Sequence, residues 1–383
     1  MKPVYLHGRS LVSALGANLQ QALAAISAGG KSPQRVSLPG GTDWPYFGIG
    51  QPDGHARPLS PNSLPQAGER DADSLREVPV DANWRVRAQQ LICAAISEAG
   101  LESCRNAPLF IATSSFNIGA IEAGQDRLSD CNSFAEEVAV WLGWNGPVYL
   151  VSSACVSSLQ AILAAHELIG AGYANDAVVL GVELFNRFSI SGFAAMQLLT
   201  PGNPKPLGSG RDGIVLGEAV AALHLSNRRA RWHLCGGSNI VDGRDPTGAI
   251  PQTVTQMCYQ SLASSGLVAS DIGLIKLQAA GSPTNDVNEL AGLADAFDPL
   301  PPLVTLKAAI GHTLGASGAA EIALLTACLE ANVWPHTDYP PDPALHAGLA
   351  HSKPESVRYI LADILGFGGG HTAVILEDTY GHL

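Results

Sequence analysis

Apolar runs alternate with segments of helical periodicity along much of the chain. Four short runs consist almost entirely of apolar residues and predict buried strands at 109–113, 148–151, 177–182 and 219–223. Between the second and third of these runs, apolar residues recur near helical spacing from Ser157 to Leu168. Strands that are apolar throughout are buried on both faces. The pattern therefore predicts an α/β fold in which helices cover a sheet on both sides.

The second half of the chain repeats this plan. A strand is predicted at 303–306, followed by a turn of small residues and a helix at 319–330. Two more apolar runs, 358–362 and 372–376, flank the glycine-rich stretch Gly366–Gly370. This arrangement predicts a hairpin closed by a tight glycine loop.

These repeated patterns predict two similar halves, residues 1–229 and 230–383. One segment of the first half departs from the plan. From about residue 29 to 83 the chain is rich in Pro, Gly, Ser and Asp and has little periodicity, so we expect a long surface loop there.

Composition excludes several classes of protein. Of the 383 residues, 46% are hydrophobic and 15% are charged, which is enough apolar material for a large core and excludes a disordered chain. The formal net charge of -12 argues against nucleic-acid binding, which needs clustered Lys and Arg.

The seven cysteines form no disulfide framework, since an odd number is spread over the whole chain. Reduced thiols fit a cytoplasmic protein. No zinc-binding spacing is present, so we predict no metal site. Because we identify no apolar stretch of 18 residues, we also predict a soluble protein without membrane insertion.

Three turns are candidates for chemistry. The first holds Cys155 where a predicted strand turns into a helix, and the helix N-terminus would favour a nucleophilic thiolate there. A buried core cysteine is the alternative. The second holds Lys307 and, at a glycine-flanked turn, His312, which could shuttle a proton or serve a purely structural role. The third is the Gly366–Gly370 loop, whose N–H groups could face an oxyanion or simply form a hairpin turn.

In this order, the three turns resemble the β-ketoacyl-acyl-carrier-protein synthase family. The motifs that carry the resemblance are Ser153-Ala154-Cys155, the stretch from Arg211 to Glu218, Lys307-x-x-x-Gly311-His312, and the Gly366–Gly370 loop. The resemblance covers nearly the whole chain and implies a thiolase-like, five-layered α-β-α-β-α double domain with two pseudo-symmetric halves. It also implies a dimer with an acyl tunnel that reaches the subunit interface.

The resemblance further implies roles for individual residues. Cys155 would take an acyl chain from the phosphopantetheine arm of an acyl carrier protein, and no cofactor would be bound. The backbone N–H groups of Cys155 and Phe367 would hold the thioester oxygen. His312 matches the second catalytic His, Lys307 its nearby Lys, and Glu321 a supporting acidic residue. Phe367 matches a gating aromatic residue. All of this requires Cys155 and His312 to converge in one pocket beneath the glycine hairpin.

Two positions depart from the family pattern. The first catalytic His usually stands in an Ala-His-Gly-Thr-like turn, and here Ala280 occupies its place. Alanine offers no side-chain hydrogen bond to polarise a malonyl thioester. The Asn that usually follows the glycine loop is replaced by His371. Whether His371 substitutes for the missing His is open at this stage.

Two functions follow from these departures. We predict a ketosynthase-like, chain-length-factor-type subunit of fatty acid or polyketide assembly that pairs with a complete ketosynthase and shapes its tunnel. In this respect the chain is similar to the chain-length-factor-like subunits of aryl polyene pathways. The alternative is an active 3-oxoacyl synthase or acyltransferase that uses Cys155 with His312, as a homodimer.

Further assignments also derive from the resemblance. Phe116 and Ile118 fall in a segment that resembles the interface loop, and they would help to set acyl length. Lys205 matches a basic position that docks the carrier protein. We expect Arg211 and Asp212 to form a buried structural pair.

Overall fold

The computed structural model describes residues 1–38, 41–50, 83–126 and 130–380. Its strands are β1 (Val4–Arg9), β2 (Val12–Ser13), β3 (Gln34–Ser37), β4 (Asp43–Phe47), β5 (Leu109–Ala112), β6 (Val148–Val151), β7 (Asp176–Glu183), β8 (Leu216–Gly217), β9 (Ala219–Ser226), β10 (Trp232–Val241), β11 (Ile272–Lys276), β12 (Leu303–Val304), β13 (Tyr359–Gly366) and β14 (Gly370–Asp378). Its helices are α1 (Leu19–Ser27), α2 (Trp84–Glu98), α3 (Ile118–Glu122), α4 (Cys131–Leu142), α5 (Ser157–Gly170), α6 (Arg187–Ala195), α7 (Pro251–Ser265), α8 (Asn285–Ala296), α9 (Lys307–Ile310) and α10 (Ser317–Ala331).

Backbone pairing divides the large sheet into two halves with the same strand order. The first half runs β6-β5-β7-β9-β1 and the second runs β12-β11-β13-β14-β10. In each half the first three strands are parallel, and the last two pair antiparallel with their neighbours. The halves meet where β1 pairs with β10. The pseudo-symmetry expected from the sequence is thus visible in the hydrogen bonding.

Side chains pack the two halves into five layers. Strand β5 shows the principle, because Leu109 and Ile111 face the core under α2 and α4, whereas Phe110 faces the central core. That central core holds α5 and α10 between the two half-sheets. A third core lies under α7 and α8 on the outer face of the second half. The α-β-α-β-α arrangement is the one that the family resemblance implies.

Most of the predicted elements are present. The four apolar runs of the first half fall on β5, β6, β7 and β9, and the predicted helix from Ser157 is α5. Strands β13 and β14 pair antiparallel up to Gly366 and Gly370, which confirms the hairpin. The division at residue 229 falls between β9 and β10, and it stays a prediction.

The expected loop from about residue 29 to 83 is wrong in its first part. Strands β3 and β4 pair antiparallel with each other there, and β4 pairs parallel with β8 through Tyr46 and Phe47. Both aromatic side chains are buried, and their packing stabilises a strand that the local composition did not indicate. Residues 51–82 of the segment lie outside the described residues.

The expectation that no apolar stretch reaches 18 residues is also wrong. The segment Leu314–Ala331 has 18 residues with a mean hydropathy of 1.3, and 89% of it is buried inside the protein. Its helix, α10, lies in the central layer, where neighbouring elements surround it. Burial among protein layers accounts for an apolar surface on all sides.

Candidate active site

Cys155 lies in the turn between strand β6 and helix α5, two residues before the first residue of the helix. Ala154 adopts φ 50, in the left-handed region, and this sharp turn separates the strand from the helix. The hydroxyl of Ser157 fixes the turn by accepting from the N–H of Ser153 and donating to the carbonyl of Ala154. The Cys155 side chain is 4% exposed. It also lines an open cavity of ≈ 620 Å³, which includes the part open to solvent.

His312 meets Cys155 across 157 positions of sequence. Its Nε2 lies 3.1 Å from the Cys155 sulfur, and its Nδ1 lies 3.1 Å from the Ser317 hydroxyl. The backbone of His312 is held against the strand β8 region by hydrogen bonds with Val215 and Gly217. The predicted convergence of sulfur and imidazole beside the glycine hairpin is therefore present in the structure.

Close packing between two helices makes this meeting possible. Gly318, in the first turn of α10, faces Leu159 of α5, and a Cβ at Gly318 would lie 2.6 Å from the Leu159 side chain. A larger residue would push α10 away from α5. Glycine here therefore brings the His312 turn and the Cys155 turn together, in agreement with the small-residue pattern of the sequence.

The pKa of Cys155 is shifted in the direction opposite to the one expected from the sequence. Burial raises the pKa of this thiol to about 11, against smaller lowering effects of the Phe367 N–H and the Lys307 charge. At pH 7 only about one molecule in 10⁴ would carry a thiolate. The helix N-terminus does not outweigh desolvation, so the resting nucleophile is a thiol.

The partner imidazole is neutral in the resting state. Burial lowers the pKa of His312 well below its usual value, and the charges of Lys307 and Lys276 lower it further. A protonated thiol beside a neutral imidazole donates its S–H to Nε2. Nδ1 then carries the ring proton and donates to the Ser317 hydroxyl. The dyad is thus arranged to transfer the thiol proton to His312 when the sulfur attacks.

A buried cluster of charges supports the dyad from behind. The ammonium groups of Lys276 and Lys307 both pair with the carboxylate of Glu321, the first at 2.8 Å. All three side chains are at most 1% exposed. Lys276 also donates to the carbonyl of Asp363 at 2.5 Å. Two cations thus share the carboxylate of Glu321. The carboxyl of Asp363 is also near, where burial raises its pKa to about 6 against the lowering effect of the Lys276 charge. Lys307 does not line the cavity, so its charge reaches the dyad without direct contact with a substrate.

The glycine hairpin forms one wall of the cavity. Phe367, at its tip, stacks on Phe193 of α6 with ring centroids 5.2 Å apart. The backbone N–H groups of Phe367 and Cys155 both act on the sulfur and lower its pKa. The loop requires glycine at Gly369, where φ is 78 and a Cβ would lie 1.8 Å from the carbonyl oxygen of Asp242.

Ala280 lines the same cavity as Cys155 and His312, as the resemblance implies for the missing His. The turn that holds it is built around the buried carboxyl of Asp286. That carboxyl accepts from the backbone N–H groups of Ala280, Gly281, Ser282 and Leu207. Burial raises its pKa to about 6. The turn is thus well ordered, but it presents a methyl group to the cavity.

His371 also lines the cavity. Its Nδ1 lies 2.8 Å from the carbonyl oxygen of Gly369, and its Nε2 is buried without a hydrogen-bond partner among the described residues. Gln278, another lining residue, has a buried Oε1 that finds no hydrogen-bond partner within residues 1–38, 41–50, 83–126 and 130–380.

The peripheral assignments have mixed outcomes. Phe116 lies between β5 and α3, and Ile118 is the first residue of α3. Both are half-buried, and neither lines the cavity of its own chain. Their interface role stays a prediction, as does carrier docking at Lys205. The expected pair of Arg211 with Asp212 is wrong. Asp212 is exposed, and Arg211 pairs instead with Asp342 at 2.5 Å.

Two residues of the site were not predicted from the sequence. Lys276 ends the apolar run of β11, and a lone lysine after Ile272-Gly-Leu-Ile was a usable signal. Glu183 ends the equally apolar strand β7. Its carboxylate accepts from the N–H groups of Ser114 and Gly315 and links the loops that follow β5 and precede α10.

One group among the described residues has the spacing to hold a metal ion. It consists of His233, Cys235 and Glu377, whose ligand atoms lie within 4.8 Å of one another. Glu377 already accepts two hydrogen bonds from Arg358 and lies 3.2 Å from the His233 Nδ1. The group lies outside the cavity of Cys155.

Comparison with known families agrees with this geometry. Residues 124–230 match the profile of the beta-ketoacyl synthase N-terminal domain, and residues 237–338 match that of the C-terminal domain. The chain belongs to the β-ketoacyl synthase family. The ketosynthase profiles together include Cys155, Ala280 and His312.

Known ketosynthases of two kinds are similar in sequence. A chloroplastic 3-oxoacyl-[acyl-carrier-protein] synthase II of Arabidopsis thaliana is 30% identical over 62% of this chain and 48% of the relative. The ketoacyl synthase alpha subunit of tetracenomycin polyketide synthase from Streptomyces glaucescens is 28% identical over 81% and 86%. The chain thus spans about half the length of the plant relative.

Solved ketosynthase structures share the whole fold. A ketosynthase in complex with its chain length factor from Xenorhabdus doucetiae superposes with a TM-score of 0.80 at 22% identity, covering 99% of this chain and 98% of the other. The ishigamide ketosynthase/chain length factor gives a TM-score of 0.78 at 20% identity, covering 99% and 100%. At this identity the likeness establishes the thiolase-like fold.

Proposed function

We propose that this protein is a ketosynthase-like subunit of fatty acid or polyketide assembly that accepts an acyl group on Cys155. In this proposal it pairs with a complete ketosynthase, which supplies decarboxylative condensation. The observation that carries the proposal is the contact of 3.1 Å between the Cys155 sulfur and His312 Nε2 in a cavity that Ala280 also lines.

Acylation needs only groups that this chain retains. The Cys155 thiol gives its proton to His312 Nε2 while the sulfur attacks the thioester carbonyl of the acyl carrier. The N–H groups of Cys155 and Phe367 stabilise the oxyanion. When the carbon–sulfur bond to the phosphopantetheine arm breaks, the leaving sulfur takes the proton from His312. The imidazole returns to its neutral state, which its buried position favours.

Condensation needs a group that this chain lacks. Decarboxylation of a malonyl thioester develops negative charge on the carbonyl oxygen, and Ala280 has no donor to stabilise it. Loss of one such donor commonly lowers the rate by about 10² to 10³. This deficit favours the role of a chain-length-factor-type subunit, in which a homologous partner performs condensation and this chain shapes the acyl tunnel. Among the structural neighbours are complexes of a ketosynthase with a chain length factor.

The retained dyad favours a second candidate function, that of an acyltransferase. A subunit that only shapes a tunnel does not need a thiol in contact with an imidazole, nor a buried pair of lysines beside them. Cys155, His312 and Lys307 are all in place here. In this candidate, the acyl group on Cys155 passes to an acceptor, and a homodimer suffices.

The remaining parts of the proposal concern partners and location. Lys205 would dock the acidic carrier protein, and Phe116 and Ile118 would contact the partner subunit. An aryl polyene pathway is one setting for such a pair. The seven free cysteines suit a reducing cytoplasm.

Two reactions test the proposal. In the first, purified protein is incubated with an octanoyl-loaded acyl carrier protein, and the mass of the Cys155 peptide is measured by mass spectrometry. We expect octanoyl mass on wild type and none on Cys155→Ala, with Cys258→Ala, a buried cysteine in the third core, as the matched control. Absence of acyl mass on wild type would refute acyl acceptance.

In the second reaction, malonyl-loaded carrier protein is added to the acylated protein. We expect no 3-oxoacyl product at ordinary ketosynthase rates until a homologous ketosynthase with both His residues is added. Full condensation by this chain alone would refute the partner role. Product release without condensation would instead support the acyltransferase.

A further inference from the structure

His371 lines the same cavity as His312, and its imidazole differs from that of His312 in its hydrogen bonds. Its Nδ1 is 2.8 Å from the Gly369 carbonyl oxygen, which can only accept, so Nδ1 carries the proton. In a neutral ring, Nε2 then holds a lone pair. This nitrogen is buried and has no hydrogen-bond partner among the residues that the structure describes, and His371 is 1% exposed. The ring therefore offers an acceptor, and it cannot supply the donor that Ala280 lacks.

A second acceptor lines the same cavity. The Oε1 of Gln278 is buried and accepts no hydrogen bond from any residue in the described part of the chain. A buried acceptor without a partner is unfavourable unless something that donates a hydrogen bond occupies the site. Two such acceptors beside Cys155 and Ala280 indicate a ligand group that carries a proton, such as an O–H. The oxygen of a thioester carbonyl or a malonyl carboxylate has no proton to give.

We propose that His371 is a general base that takes, at Nε2, the proton of an oxygen nucleophile attacking the acyl-Cys155 thioester. The nucleophile is water or a hydroxyl group. This inference rests on the proposed acylation of Cys155 and adds the step that consumes the acyl group. It makes the chain an acyl-oxygen transferase or hydrolase.

The step balances without a further reagent. The nucleophile oxygen bonds to the acyl carbon, and its proton moves to His371 Nε2. The carbon–sulfur bond breaks, and its electron pair returns to the Cys155 sulfur. His371 then passes the proton to the sulfur, which restores the thiol. Burial lowers the pKa of His371, so the ring is neutral and able to accept a proton at the start of each catalytic cycle.

The fold holds this ring in place. His371 is in β14, where it pairs with Leu365 of β13 on one side and Ile240 of β10 on the other. The short side chain of an Asn, the residue usual in the family at this position, can also accept a hydrogen bond, but it cannot take up a proton. An Asn variant therefore separates a base from a mere acceptor.

The test follows release of the acyl group in single turnover. Wild type, His371→Asn and His371→Ala are each acylated with octanoyl-loaded carrier protein and separated from excess carrier. Mass spectrometry then follows the fraction of acylated protein at intervals. Octanoic acid reports attack by water, and a glycerol ester, formed in added glycerol, reports attack by a hydroxyl. Each release rate is normalised to the acyl-enzyme present at the start. His351→Asn, an exposed position, is the matched control.

We expect His371→Asn and His371→Ala each to slow release of the acyl group at least 100-fold. The control His351→Asn should release it at the wild-type rate. Added imidazole should restore release in His371→Ala, which a structural role would not predict. Equal release in wild type and His371→Asn from normally acylated protein would overturn this inference alone. Absence of acyl mass in every variant would overturn the proposed function as well.

Discussion

Replacing Glu321 with Gln should destabilise the protein strongly, because it removes the carboxylate that two buried cations share. Lys276 and Lys307 both pair with this carboxylate, and all three side chains are at most 1% exposed. Breaking a buried ion pair by removal of one partner costs about 3–5 kcal/mol. For a chain of 383 residues, that loss lowers the melting temperature by about 4–6 °C.

Thermal unfolding by circular dichroism measures this effect. Glu167→Gln, an exposed change on α5, is the control and should leave the melting temperature within about 1 °C. The double variant Lys307→Met with Glu321→Gln restores the native net charge of the cluster, so it should recover part of the loss. A Glu321→Gln protein as stable as wild type would refute the account of the buried cluster.

Three further predictions concern the cavity. Ala280→His should raise condensation with malonyl-carrier by about 10² to 10³, since it adds the absent donor; unchanged product formation by a folded variant would contradict this. Asp286→Ala should lower the free energy of unfolding by at least about 3 kcal/mol in urea, because four backbone N–H groups lose their acceptor; a loss below 1 kcal/mol would count against it. Alkylation of Cys155 by iodoacetamide should rise about tenfold per pH unit from pH 7 to 10, because only the thiolate reacts and the thiol pKa is about 11. A plateau below pH 9 would show that the thiol is activated at rest.

The fold was largely predictable from local patterns. The runs that became β5, β7 and β9 are apolar on both faces because helices cover both sides of the sheet, and this requirement is written in consecutive residues. Strands β3 and β4 were missed because their stability comes from Tyr46 and Phe47, which pack against distant parts of the chain. Such contacts leave no local period.

The site was predictable only in part. The residue types at Cys155 and His312 could be singled out locally, but their meeting across the chain followed from the resemblance to a family. The direction of the Cys155 pKa was wrong because a helix N-terminus is visible in sequence, whereas full burial is a property of the fold. The same reason applies to Lys276, whose partner Glu321 lies 45 positions away.

The most direct test of the central claim is the rate at which the Cys155 peptide gains acyl mass from a loaded carrier protein in wild type and in His312→Ala. If the neutral imidazole takes the thiol proton, wild type becomes acylated and the variant is slower by at least about 10². Equal rates in the two proteins would contradict a working pair of sulfur and imidazole.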